Sequence, residues 1–135
     1  MPLILDIVTP EGQVYTDTID SVVIPTTSGE IGVLPGHIAL VTQIEFGELR
    51  VMKGNATQSL AVSGGFAQID GDRVHVLAEY AIDREKIDEN AVEAALAHTQ
   101  KELEAAKNAD PQEYEHLQGL IRYAGVQLAV KRRHR

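Results

Sequence analysis

Five histidines, His37, His75, His98, His116 and His134, are the side chains best suited to acid–base or metal chemistry near neutral pH. None stands at metal-ligand spacing from another. His98 and His116 would face each other if the chain turned back between them. No carboxylate at obvious spacing completes such a site, so two solvated helix residues are the plainer reading. Ser28 with His37, and Ser63 with His75, offer a nucleophile and a base by residue type alone. Ser63-Gly-Gly65 lacks the Gly-x-Ser-x-Gly frame that exposes a nucleophile on a strained turn. The glycines from Gly29 to Gly36 are not followed by Gly-Lys-Ser/Thr, so they do not form a phosphate loop. Asp70 and Asp72 flank Gly71 and read as turn formers rather than as a calcium loop or an acid–base pair. Cysteine is absent, which removes thiol nucleophiles, disulfides and thiolate zinc sites. The expectation is a chain with no catalytic residue, no metal and no cofactor.

Three other groups of residues invite a binding role. The first is Ser28-Gly-Glu-Ile-Gly-Val-Leu-Pro-Gly-His-Ile-Ala-Leu40, where Gly29, Gly32 and Gly36 punctuate apolar residues and Pro35 precedes Gly36. Such spacing suits a tight corner. Glu30 and His37 are its ionisable groups, and one corner would present both at one end of a β fold. The second is Ile87-Asp-Glu-Asn-Ala-Val92, at the start of a helical pattern. The third is the end of the chain. Arg122, Lys131, Arg132, Arg133 and Arg135 lie in the last fourteen residues, which contain no Asp or Glu.

Composition limits what these groups can serve. Hydrophobic residues are 44% of the 135, enough for a real core, and aromatics only 4%, so that core must be aliphatic. The net charge of −8 argues against nucleic acid as a partner, because phosphates require a basic face. No stretch approaches ~20 apolar residues, the length a spanning helix needs. As the chain stands, its N-terminus lacks the basic and apolar regions of a signal peptide. Residues 1–84 carry 11 acidic and 4 basic side chains, and residues 85–135 carry 9 and 8. That break marks the expected boundary between a domain at 1–84 and a second at 85–135.

The first part reads as short strands: 3–8, 14–18, 19–24, an extended run over 37–44, then 48–53, 57–63, 66–69 and 73–77. Glu48-Leu-Arg-Val-Met-Lys53 alternates charged and apolar residues, the mark of a half-buried antiparallel strand. Gly54-Asn55 and Asp70-Gly-Asp72 are hairpin signals, and Gly64-Gly65 permits a bulge or bend. Strands at this spacing predict an antiparallel β-sandwich or barrel. After Ala81-Ile-Asp83 the period changes. Val92, Leu96, Thr99, Leu103 and Ala106 form one helical stripe, and Tyr114, Leu117, Ile121, Ala124 and Leu128 form another. Asn108-Ala-Asp110 separates them, with Asp110 as N-cap, Pro111 at the first helical position and Glu113 as capping acid. Gly119 and Gly125 weaken the second helix or allow close packing. The fold class expected is α+β: an N-terminal antiparallel β-sandwich followed by a C-terminal antiparallel α-helical hairpin. Such a thin hairpin needs a surface to lie on, and is able to leave it.

The string Gly-Glu-Ile-Gly-x-x-Pro-Gly-His resembles the signature of the ε subunit of F-type ATP synthase, called δ in mitochondria. The resemblance continues in order through Gly47-Glu-Leu-Arg-Val51, Leu60-Ala-Val-Ser-Gly-Gly-Phe66, Val74-His-Val-Leu-Ala-Glu79 and the Ala-rich helical pair. It covers essentially the whole chain. The competing reading, from the residues alone, is a free-standing β-sandwich binding module or small enzyme with a helical cap.

The resemblance implies a noncatalytic rotor subunit of the central stalk in a proton-translocating enzyme, coupling the catalytic head to the membrane ring. Its place would be peripheral, on the cytoplasmic face of the bacterial plasma (inner) membrane. The implied partners are the γ subunit, the polar loops of the c-ring and a catalytic β subunit. Glu30 and His37 match ring-facing positions; the bland role for His37 is a buried hydrogen bond that supports the Pro35-Gly36 turn. In the family the hairpin can extend from the sandwich into the catalytic head and inhibit ATP hydrolysis. Arg122, Lys131, Arg132, Arg133 and Arg135 then offer cations to an acidic segment of β; the bland role is pairing with a helix C-terminal dipole. Some bacterial members bind ATP through Ile/Leu-Asp-x-x-Arg-Ala. Here Ile87 and Asp88 are kept, Ala91 stands where Arg belongs and Val92 where Ala belongs. Losing the guanidinium that would fork onto phosphate implies weak ATP binding or none.

Overall fold

The structure is a computed structural model and describes residues 2–106 and 110–133. Asn108, expected to break the helical run, and Arg135 of the basic tail lie outside the described residues.

The strands are β1 (Leu3–Thr9), β2 (Gly12–Ile19), β3 (Ser21–Thr26), β4 (Gly29–Val33), β5 (His37–Ile44), β6 (Gly47–Lys53), β7 (Ala56–Val62), β8 (Gly65–Gly71), β9 (Arg73–Ala78) and β10 (Ala81–Asp83). They run in the order β10-β7-β6-β3-β5-β8-β9-β1-β2, with β4 on β3. The path folds over at β3, which joins β5 only through Thr26 opposite Ile44. This gives the sandwich two layers. Both expected hairpins form: Gly54-Asn55 joins β6 to β7, and the turn after Asp70 joins β8 to β9. One pairing departs from the antiparallel expectation, since β1 runs parallel to β9 from Ile4 opposite Arg73 to Val8 opposite Leu77. Alternation in β1 fixes which face is buried but carries no information about the direction of a partner. The strands between β1 and β9 supply the long crossover that a parallel pair requires.

The sandwich core is aliphatic. Leu3, Leu5, Ile7, Ile19, Val22, Ile24, Ile44, Leu49, Val51, Leu60, Ile69, Val74 and Val76 are all buried within it. Gly65 matters sterically rather than for freedom of backbone: a Cβ there would lie 1.9 Å from the Leu77 carbonyl oxygen.

A single 3₁₀ turn (Arg84–Lys86) leads into α1 (Glu89–Ala105) and α2 (Pro111–Arg133). The Asp88 carboxylate accepts from the Ala91 N–H at 3.2 Å and caps α1. Asp110 accepts from the Gln112 N–H at 3.0 Å and caps α2, with Pro111 in the first position. No residue of α1 is buried. In α2, Leu117, Ala124 and Leu128 of the expected stripe are buried, and Ile121 half-buried, while Tyr114 is exposed. A second set, Tyr123 and Val130 with Val126 beside them, packs on Ala61 and Ile87 of the sandwich side. One stripe could not describe α2 because it packs against two things: α1 and the β6–β7 face. Gly119 and Gly125 have nothing near where a Cβ would stand, so neither glycine is there for close packing.

Candidate functional site

The stretch that seemed one corner is two turns with a strand between them. Thr26 and Gly29 close the β3–β4 hairpin, where the Thr26 hydroxyl donates to the Gly29 carbonyl. Strand β4 then runs to Val33, and residues 34–36 turn the chain into β5. Gly36 adopts φ +83° and donates its N–H to the Gly71 carbonyl at 3.0 Å. Glu30 and His37 are therefore not brought together. Glu30 is near the start of β4, about 10 Å of extended chain from Val33, and His37 lies past the far turn. Glu30 is exposed and accepts from Arg50 Nη1 at 2.9 Å. The half-buried His37 donates from Nδ1 to the Ile38 carbonyl at 2.7 Å. That bond goes to its own neighbour, and the turn is held by Gly36 instead.

The end where His37 lies is apolar. Leu34 is 65% exposed and Ile38 83%. On the adjoining outer face of β5, β8 and β9, Val41, Phe66 and Leu77 stand in water at 57–68% exposure. Phe66 is opposite Leu77 on one side and Gln43 on the other, and Val41 is diagonal to Phe66.

The opposite layer is covered. Helix α2 lies on β6, β7 and the 3₁₀ turn, and this is where the scarce aromatics gather. Tyr123 stacks on Tyr80 with ring centroids 5.3 Å apart, and its hydroxyl donates to the Ala61 carbonyl at 3.0 Å. Burial, with Tyr80 alongside, pushes the Tyr123 phenol well above the ordinary tyrosine value. Phe46 lies under the Arg122 guanidinium, 4.4 Å from its ring centre.

The basic residues of α2 are already engaged within the chain. Arg122 donates to Glu45 at 2.7 Å and Arg133 to Glu48 at 2.8 Å. Arg132 pairs with Glu93 and stands 3.6 Å from Glu89 on α1. Lys131 donates to the Arg84 carbonyl at 3.1 Å, and Arg84 in turn donates to the Lys131 carbonyl at 3.3 Å. These side chains diverge, so α2 presents no single cationic patch. Glu48 corrects the half-buried reading of β6. Its side chain is only 3% exposed, because α2 covers the face that alternation assigned to water. Nothing in the local pattern points to this role for Glu45 or Glu48; the aromatic at Phe46, in a chain so short of them, is the one usable signal.

Ile87 is buried in the interface cluster, and Asp88 serves as an N-cap. Ala91 and Val92 line a cleft of about 340 Å³ between the helices, with Ala95, Leu96, Thr99 and Leu120. Among the described residues no cationic side chain lines it. The Arg122 guanidinium turns away from this cleft, to Glu45 and Phe46 of the sandwich. The serine–histidine pairs do not assemble. Ser63 accepts from the Tyr80 N–H at 2.8 Å, His75 stands 3.3 Å from Asp6, and His98 pairs with Glu102 at 2.6 Å. Among the described residues no three metal-ligating side chains converge, and no helix is long and apolar enough to cross a membrane.

Residues 2–84 match the family described as "ATP synthase, Delta/Epsilon chain, beta-sandwich domain". The chain belongs to the ATP synthase Delta/Epsilon family. A relative from Prochlorococcus marinus named "ATP synthase epsilon chain" is 41% identical over 108 residues, 80% of each chain. Another of that name, from Anoxybacillus flavithermus, is 45% identical over 101 residues, 75% of each. Relatives named in this way are noncatalytic subunits of the ATP synthase complex. The same fold occurs in a chain of the Euglena gracilis mitochondrial ATP synthase, at TM-score 0.73 and 24% identity, covering 95% of this chain and 80% of that one. A chain of the Tetrahymena thermophila mitochondrial ATP synthase central stalk and c-ring shares it at TM-score 0.53 and 13% identity, covering 64% and 69%.

Proposed function

We propose that this epsilon-family chain is a rotor subunit of a proton-translocating ATP synthase, peripheral to the cytoplasmic face of a bacterial plasma membrane. Its sandwich couples the central stalk to the membrane ring, and its hairpin inhibits ATP hydrolysis when it leaves the sandwich. The contrast between the two sheet faces carries this reading. One face is sealed by α2, and the other leaves Val41, Phe66 and Leu77 in water. Exposed apolar patches on this scale mark protein contacts. The open face suits the γ subunit, and His37 goes with it, since Leu34 and Ile38 beside it are equally exposed. Glu30 and the polar β3–β4 turn suit the polar loops of the c-ring. Ring contact by Glu30 and His37 together would need two separate surfaces, because β4 holds them apart. In the extended state Arg122, Lys131, Arg132, Arg133 and Arg135 face an acidic segment of a catalytic β subunit. ATP is not a ligand of the hairpin, because the cleft beside Ala91 offers phosphate no cation.

Phe66→Glu tests the docking face. It places a charge on an already solvated position, so the isolated chain should keep its thermal stability within about 0.5 kcal/mol. Its affinity for isolated γ should fall by a factor of ten or more, roughly what one desolvated charge costs at an apolar contact. Unchanged γ affinity with the fold intact would place γ elsewhere on the sandwich.

A further inference from the structure

We propose that the β5–β6 connection and the first residues of β6, Glu45-Phe-Gly-Glu48, form a latch that grips α2 at Arg122 and Arg133 and sets how readily the hairpin leaves the sandwich. The proposal rests on the mobile-hairpin reading above and gives it a named control point. Helix α1 buries no residue of its own, so α2 provides most of the hold on the sandwich. The apolar part of that hold is small: Tyr123 and Val130 against Ala61 and Ile87, with Phe46, Tyr80 and Ile82 at the margin. The connection adds two charged grips, eleven residues and about 16 Å apart along the helix. Arg122 is held twice, by Glu45 at 2.7 Å and by the face of Phe46 at 4.4 Å. Arg133 is held by Glu48 at 2.8 Å, and Glu48 is 3% exposed.

Burial makes the second grip the stronger one. An ion pair in water contributes little, whereas a carboxylate shielded from water loses much when a cation is withdrawn. Arg50 stands 3.6 Å from Glu48 but also binds Glu30 at 2.9 Å, so it is shared between two acids. The latch therefore assigns the tail's cations a sign. Bound to Glu45 and Glu48 they favour the folded hairpin, and an acidic partner must compete for them before the hairpin can extend.

The chain has no cysteine, so spin labels at Gln68→Cys on the far sheet face and Gln118→Cys on α2 report the separation of hairpin and sandwich in the isolated full-length protein. The unmodified background should give one dominant distance, that of the folded hairpin, and an extended hairpin a second, longer one. E48Q and R133Q should each raise the long-distance fraction roughly tenfold or more, the equivalent of one charged hydrogen bond. The double variant should raise it no further than the larger single effect, because both remove the same contact. R133Q alters a half-exposed side chain at the helix end and keeps the test open if E48Q disturbs the sandwich. Y123D breaks the apolar contact and serves as the control. If Y123D separates the labels while R133Q does not, or if the two single effects add, the latch is overturned and the mobile hairpin stands. If no variant separates them, the mobile hairpin falls and the latch with it.

Discussion

Tyr123 shows how one side chain ties the two parts of the molecule together. Its ring stacks on Tyr80, its hydroxyl reaches the Ala61 carbonyl at 3.0 Å, and it lies outside the stripe that α2 displays most plainly. Tyr123→Phe should cost about 0.5–1.5 kcal/mol in denaturant unfolding, the net worth of one hydrogen bond. The same residue predicts an alkaline limit. Its folded-state value is raised above the unfolded one of about 10. Its contribution is therefore complete below about pH 10 and is lost as pH rises from there through the folded value. Tyr123→Phe should flatten that part of the stability profile, and a stability–pH curve identical to wild type above pH 10 would contradict the assignment. Residue-level reading of the sequence did well where function is local. Asp110, Pro111 and the Gly54-Asn55 turn declare themselves, because a cap or tight turn is specified by neighbours in the chain. It failed at Glu48, whose partner on α2, Arg133, is 85 residues away in the chain.

At the scale of elements, the helix start shows one motif under two demands. Asp88 persists, and capping alone accounts for it: it satisfies the Ala91 N–H. Ala91 and Val92 open onto a cleft that no cation among the described residues lines, and Arg84, seven residues before Ala91, is turned to Glu85 at 2.8 Å. Isothermal calorimetry of the full-length chain with ATP, with and without Mg²⁺, should show no saturable binding in the micromolar range. A micromolar isotherm would mean that a cation swings into the cleft, and Arg122 would be the first to replace. The elements themselves were legible to different degrees. Alternation locates β6, a short apolar run locates β1, a hairpin signal locates β9, and the 3.6 period locates both helices. The sequence of β4 reads as part of a corner, because its glycines signal turns more strongly than its pairing with β3 signals a strand. Strand β10 spans three residues, too short for a period, and exists because β7 had an edge to pair.

For the whole molecule, the account makes the sandwich a docking body and the hairpin a removable regulator. The charge break near residue 84 suggested that division, and the physical basis for it is the aliphatic core, which closes without any residue of α1 or α2. What the sequence could not tell is where the hairpin lies, since that depends on the fit between one face of α2 and the β6–β7 surface. The most direct test compares ATP hydrolysis by an ATP synthase stripped of this subunit and then rebuilt with either the full-length chain or residues 1–84. Circular dichroism must first show that 1–84 is folded, and co-purification must show that both forms bind. Both should restore proton pumping coupled to hydrolysis, and the full-length chain alone should depress the hydrolysis rate. Equal rates with the two bound forms, or a 1–84 fragment that does not fold, would contradict this division.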